Sequence, residues 1–453
     1  MSVVSIRRAR RTAIGLAAAL ACQLALPARA DEGDDSRETL GVVSSVTLPA
    51  QSNGTPPSWA GQAFRQGVVS AANPYGAEAG AKILEAGGNA IDAAVAIAYA
   101  LNVVEPQSAG IGGGGFMMIH LAGTGETFTI DTREKAPAGA TRDMFVGMPG
   151  FTVQSLSGVA VGVPGMVRGT ALAVERWGRL PLAQSLQPAI TLADQGFAAT
   201  PRFVSSPNCA GPDATSRSKN SPLSAAYFCP GGAAIPVNTI VTNKPLADTF
   251  RLIAQHGADC FYKHMPALGC DIALGIVEGQ KFTRPQAAGG RAGSMTLADL
   301  EAYQPAVRAP VEGSYRGYKI KSMGPPSSGA LTVIQILKML ERFPLSDAGA
   351  GYGFGSATTL NVMADAMRLA FADRGVWMGD ADFAYVPVRG LLNDTYLSGR
   401  GAAIVPGTRA LPTTLASGDA SFYDTAGLTP KTRLAVAEPG PGTENGTTPF
   451  SVV

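Results

Sequence analysis

The stretch over residues 90–103 is rich in alanine and apolar nearly all round. Read as a helix, it has no polar face to turn toward water, so it must be buried on most sides. A chain that contains such a helix needs layers of structure around it. The flanking residues supply them. Residues 67–71 read as a first strand. Asn73 is placed to cap a following helix with Pro74 at its first position, and Gly87-Gly88 is placed to end it. After the apolar helix comes a glycine loop at 110–115, then two neighbouring strands at 116–120 and 127–131. Further helices are expected over 165–177, 182–195, 331–343 and 358–374, with a strand at 317–323. Residues 203–235 are a Ser/Pro/Gly/Cys-rich excursion, and 390–446 reads mostly as loop. There is no internal repeat. Helices precede strands and strands come in pairs, which predicts a layered α/β fold and not alternating βαβ units.

Before that frame lies a separate object. Arg7, Arg8, Arg10 and Arg11 precede an apolar run over 13–26, and Ala28-Arg29-Ala30 matches an A-x-A cleavage site. This is the pattern of a secretory signal over residues 1–30, too short for a stable membrane span. Residues 31–60 read as a flexible lead-in. Removing 1–30 takes away five arginines and no acid, which turns the formal charge from +2 to −3. No basic stripe with interleaved aromatics remains, so nucleic acid is not an expected partner. With 46% hydrophobic residues the rest can bury a large core and is not a disordered chain.

Four cysteines follow the signal: Cys209, Cys229, Cys260 and Cys270. An even count in an exported chain points to disulfides. Three connectivities are possible, and the sequential one, Cys209–Cys229 with Cys260–Cys270, is the simplest. There is no C-x-x-C, and His120, His256 and His264 stand at no ligand spacing, so no metal is expected.

Four motifs could carry chemistry. The run Gly110-Ile-Gly-Gly-Gly-Gly115 satisfies G-x-G-x-x-G, but a helix precedes it and a strand follows, the reverse of a dinucleotide site. A tight backbone passage is the better reading. Pro325-Pro326-Ser327-Ser328-Gly329 imitates a serine elbow. It lacks the first glycine, and no histidine follows it anywhere in the chain. A helix N-terminus with serine capping is expected instead. In Asp131-Thr132-Arg133-Glu134, Arg133 either presents its fork to a carboxylate ligand or simply pairs with Asp131 or Glu134. Last, Gly446-Thr447-Thr448 precedes the apolar residues 450–453. If the Gly446–Thr447 bond is cut, Thr447 gains an α-amine beside its hydroxyl, a nucleophile with its own base. That amine has a reference pKa of about 7.7–8.0, so it is partly neutral near pH 7 without a histidine.

At these residues the chain resembles the γ-glutamyltransferases, also called glutathione hydrolases. The resemblance runs from about residue 67 to the end. It is carried by ILEAGGNAIDAAVA (83–96), PQSAGIGGGGF (106–116), DTREKAP (131–137), VPGMVRG (163–169), GPPSSGA (324–330), ADRGVWMGDADFAYVPV (372–388) and GTTPFSVV (446–453). It implies the αββα sandwich of N-terminal-nucleophile hydrolases and a precursor that cuts itself into two subunits. On this numbering 61–446 would be the large subunit and 447–453 the start of the small one. The resemblance makes Thr447 the nucleophile, Gly446–Thr447 the cleavage site and Arg133 the binder of the glutamyl α-carboxylate. Pro449 stands where the family usually has histidine, and Ala330 where a second glycine is common.

The implied activity is cleavage of γ-glutamyl amides such as glutathione, through a glutamyl-Thr447 ester passed to water or an acceptor amine. No cofactor is required, and the small subunit of the same precursor is the expected protein partner. The location implied by the signal is exported, periplasmic or secreted. Only seven residues follow the Gly446–Thr447 bond, so the chain by itself is expected to be inactive. The alternatives are a β-lactam or polyglutamate acylase of the same fold, and a noncatalytic exported remnant.

Overall fold

A computed structural model describes residues 2–5, 67–207, 209–211, 216–219, 221–281, 288–407, 410–424 and 450–453. Gly446, Thr447, the A-x-A site and the lead-in lie outside the described residues. Strand β1 (Ser2–Ser5) pairs antiparallel with β2 (Val68–Ala71). Helices α1 (Pro74–Glu85) and α2 (Ala90–Val104) follow. The Asn73 side chain accepts from the Tyr75 amide at the start of α1, as the cap-and-proline pattern requires. Asn89 and Asp92 form a reciprocal capping box at the start of α2.

Helix α2 is enclosed as its composition demands. Eleven of its residues are buried, on every side of the helix. Its Tyr99 packs edge-on against Phe250, with ring centroids 5.3 Å apart. Strands β3 (Phe116–Leu121) and β4 (Glu126–Asp131) form an antiparallel pair in which Phe116 faces Asp131. Along β3 the more exposed Phe116, Met118 and His120 alternate with Met117, Ile119 and Leu121, the two-residue period of a half-covered strand.

Helices α3 (Met166–Trp177), α4 (Leu182–Gln195) and α5 (Lys244–His256) come next, then the single turn α6 (Asp259–Tyr262). Strand β5 (Ala306–Arg308) joins β4 on the side away from β3. Strands β6 (Val311–Tyr315) and β7 (Tyr318–Ser322) make a hairpin that leads to α7 (Gly329–Leu340) and the long α8 (Ala357–Trp377). Every strand pair among the described residues is antiparallel. Both disulfides are sequential, Cys209–Cys229 and Cys260–Cys270.

Helix α9 (Asp394–Gly401), capped by Asn393, stands within the stretch read as mostly loop. It packs Tyr396 and Leu397 into the cluster that holds Leu331 and Trp377. The serine capping expected at the start of α7 comes from Ser327, whose Oγ accepts from the Gly329 amide at 3.3 Å, while Ser328 at the N-cap position makes no capping bond. Its Oγ instead accepts from Arg374 Nε at 2.9 Å.

The last strand, β8 (Phe450–Val452), pairs antiparallel with β2, placing Phe450 opposite Ala71. Val453 closes the ladder with two backbone bonds to Val68. Phe450 and Val452 pack on the same core cluster as Tyr262, Tyr303, Ala109 and Ile111. No helix among the described residues is long and apolar enough to cross a membrane.

Candidate active site

The best-formed polar feature is the segment that leaves β4. Thr132 is buried and bonded twice to the Gly115 carbonyl, by its amide and by its hydroxyl, both at 3.0 Å. The glycine loop therefore lies against this segment as a backbone clasp, in line with the tight passage read from its sequence. The start of α3 closes over it from another side. The amides of Gly165 and Met166 donate to the Gly113 carbonyl at 3.0 and 3.1 Å.

The contact needs glycine at three places. A Cβ on Gly114 would stand 2.1 Å from the Thr132 carbonyl oxygen, one on Gly165 2.0 Å from the same atom, and one on Gly169 1.9 Å from the Thr132 methyl. These distances are well inside van der Waals contact, so the three glycines are there for close approach. Lys135 adds a two-way backbone bridge to Val163.

Asp131 decides what Arg133 can do. Its Oδ1 accepts from the Arg133 backbone amide at 3.0 Å. Its Oδ2 is taken by Arg308, whose Nε lies 3.1 Å away. Arg308 also grips Asp382 with two parallel bonds of 2.9 and 2.7 Å. This fork ties the 131–137 segment to the segment around residue 382. The Asp131 carboxylate is thus already committed, and the pairing of Arg133 with Asp131 or Glu134 is not the arrangement found. The Arg133 side chain is exposed, its guanidinium 6.0 Å from the Phe116 ring centroid, and it makes no ion pair among the described residues.

The gamma-glutamyltranspeptidase family model matches residues 76–453. The chain belongs to that family. Curated gamma-glutamyltranspeptidase-like relatives include the glutathione hydrolase proenzyme of Bacillus subtilis (strain 168), 38% identical over 369 residues, which is 79% of this chain and 59% of the relative. The glutathione hydrolase proenzyme of Escherichia coli (strain K12) is 39% identical over 335 residues, covering 73% and 54%. The acylase ACY 1 proenzyme of Pseudomonas sp. (strain V22) is 39% identical over 348 residues, covering 75% and 58%. The chain spans a little over half the length of these curated relatives.

Among solved structures, Helicobacter pylori gamma-glutamyltranspeptidase superposes with a TM-score of 0.70 at 38% identity, covering 79% of this chain and 96% of that one. The Bacillus anthracis transpeptidase CapD gives 0.56 at 28%, covering 74% and 99%. The layers seen here are those of the family's αββα N-terminal-nucleophile hydrolase fold.

Of the residues singled out from sequence, Arg133 and the four cysteines are described. Thr447 is not, but the strand that begins three residues after it is fixed on β2. Two residues of this candidate site escaped sequence reading. Arg308 lies outside every quoted motif, and its role depends on two distant acids. Tyr303 donates its hydroxyl to the Arg133 carbonyl at 2.9 Å, from a stretch with no distinctive pattern.

Proposed function

We propose that this chain contributes the glutamyl-binding arginine and the nucleophile of a γ-glutamyl hydrolase and transpeptidase. The observation that carries the reading is Arg133: its backbone is clamped by Asp131, which is itself bonded to Arg308, and its exposed guanidinium makes no ion pair among the described residues, so its fork stands open to a ligand carboxylate. A planar guanidinium meets a carboxylate through two parallel bonds, which suits the α-carboxylate of a glutamyl group.

In this reading Thr447 Oγ attacks the Gly446 carbonyl carbon. The peptide C–N bond breaks, the freed nitrogen becomes the Thr447 α-amine, and water opens the resulting ester. The cut separates residues 61–446 from a small subunit that begins at Thr447. The neutral amine then takes the Oγ proton while Oγ attacks the γ-carbonyl of the substrate. The same proton passes to the leaving amine, and a glutamyl-Thr447 ester remains. Water or an acceptor amine completes the turnover and regenerates the hydroxyl. Glutathione is the expected natural substrate, because relatives at 38–39% identity are glutathione hydrolase proenzymes. The signal pattern supports export to the periplasm or beyond.

Thr447→Ala in the full-length precursor is the test. It should leave the chain uncut at Gly446–Thr447 and turnover of a γ-glutamyl anilide at background, read by intact mass and by aniline release. Cleavage at that bond in the variant would sink the assignment. The acylase relative at 39% identity motivates a second reading, an acylase of the same fold. It requires turnover of β-lactam side-chain or polyglutamate amides in preference to glutathione.

A further inference from the structure

We propose that Tyr303 is the positioning residue for Arg133, and that its partner Tyr262 carries that placement to the disulfide-closed loop behind it. The inference rests on the reading of Arg133 as the glutamyl-binding group.

A long exposed side chain can make a bidentate contact reproducibly only if its backbone is fixed. Arg133 is held at both peptide groups. The Asp131 carboxylate takes its amide, and the Tyr303 hydroxyl, 2.9 Å away, donates to its carbonyl. Tyr303 is 2% exposed, so this bond is shielded from competing water. Its hydroxyl fits only because residue 165 is glycine, where a Cβ would stand 2.1 Å from the tyrosine oxygen. Burial, with the charges of Asp131 and Glu134 behind it, pushes the Tyr303 hydroxyl above its ordinary acidity range, so it stays a donor.

Tyr303 is in turn placed by its ring. It stacks on Tyr262 with centroids 5.8 Å apart and planes 11° from parallel. A cation stands against each ring: the Lys135 ammonium 5.3 Å from the Tyr303 centroid, and the Arg168 guanidinium 4.5 Å from that of Tyr262. Lys135 lies two residues beyond Arg133, and its Nζ donates to the Gln304 carbonyl at 3.1 Å. The segment and the tyrosine therefore grip each other reciprocally.

Tyr262 donates its hydroxyl to the Pro164 carbonyl at 2.8 Å and accepts from the Arg168 amide at 3.2 Å, which fixes the start of α3 beside Gly165. Arg168 donates to Asp259 at 2.6 Å. Between Asp259 and Tyr262 sits Cys260, whose bond to Cys270 is buried at both ends. One connected set of contacts thus runs from the disulfide through two stacked rings to the arginine backbone.

The test is Tyr303→Phe in the full-length, processed protein, which removes one hydroxyl and keeps the stack. Loss of one buried hydrogen bond should raise KM for a γ-glutamyl anilide about threefold to tenfold, with kcat little changed. Amide hydrogen exchange at 133–135 should accelerate. Combined with Arg133→Lys, the second substitution should add little to KM, because both act through one contact. Tyr262→Phe should shift exchange the same way by a smaller factor. Unchanged KM and unchanged exchange in Tyr303→Phe would overturn the proposal, as would fully additive KM effects. If exchange accelerates but Arg133→Lys leaves KM as it was, then Arg133 does not bind substrate and Tyr303 is only a structural clamp. That result removes the functional reading and this inference together, but by a signature distinct from the failure of Tyr303 alone.

Discussion

Two turns in this chain look alike in sequence and differ in what they leave available. Both follow a strand, both contain polar residues beside glycine or proline, and both invite a catalytic reading. At 324–329 the hydroxyls are occupied by the fold: Ser327 Oγ accepts from the Gly329 amide at 3.3 Å, and Ser328 Oγ accepts from Arg374. At 131–137 the scaffold uses Asp131, Thr132 and Lys135 and leaves the exposed side chains of Arg133 and Glu134 without an ion pair among the described residues. Asp131 is consumed by Arg308, Thr132 by the Gly115 carbonyl, and Lys135 by the Gln304 carbonyl, while the Arg133 guanidinium stays outward. What distinguishes a functional turn here is the group left uncommitted after the structural bonds are made.

Substitutions at matched glycines should break the comparison most visibly. Gly165→Ala drives a methyl into the Thr132 carbonyl and the Tyr303 hydroxyl, so it should cost about 1–3 kcal/mol or more. Gly329→Ala meets nothing closer than Ser327 Oγ at 3.6 Å. It begins α7, and alanine there should be neutral or stabilising by up to about 1 kcal/mol. Thermal unfolding of the two variants side by side reads this directly. Equal effects would mean that the two turns are packed alike.

Asp131→Asn keeps the shape but removes the charge that Arg308 and the Arg133 amide share. Losing hydrogen bonds to a charged group should cost about 1.5–3 kcal/mol in urea unfolding. An unchanged midpoint would show that Asp382 alone holds Arg308. Ser328→Ala should cost the least, about 0.5–1.5 kcal/mol for one neutral acceptor, with no effect on kcat. A large loss of turnover in that variant would return the second turn to the list of candidate sites.

Much of the frame was legible in the sequence because its signals are local. The apolar composition of α2, the Asn73-Pro74 start of α1 and the 182–195 helix all follow from period, cap and breaker. Helix α9 was missed because its eight residues bring little periodicity of their own and are held by packing against α7. Which of the two serines bonds the start of α7 was not legible for a related reason: Ser328 is taken by a distant arginine, and Ser327 accepts from the Gly329 amide. Arg133 could be nominated from its motif, but its availability could not. That depends on Arg308, 177 residues away along the chain from Asp131. Tyr303 was invisible for the same reason, since it acts across 170 residues.

The central claim is that Arg133 is held out to grip a ligand carboxylate, and it can be tested by one comparison of substrates. Kinetics of the processed full-length protein and its Arg133→Lys variant would be measured on a γ-glutamyl anilide and on the analogue lacking the α-carboxylate. Lysine keeps the charge and loses the planar fork. Loss of a charged contact of this kind is worth roughly 1.5–3 kcal/mol, so kcat/KM for the γ-glutamyl substrate should fall about 10-fold to 150-fold. The slower turnover of the analogue should be the same in both proteins. An equal loss on both substrates, or no loss on either, would contradict the account.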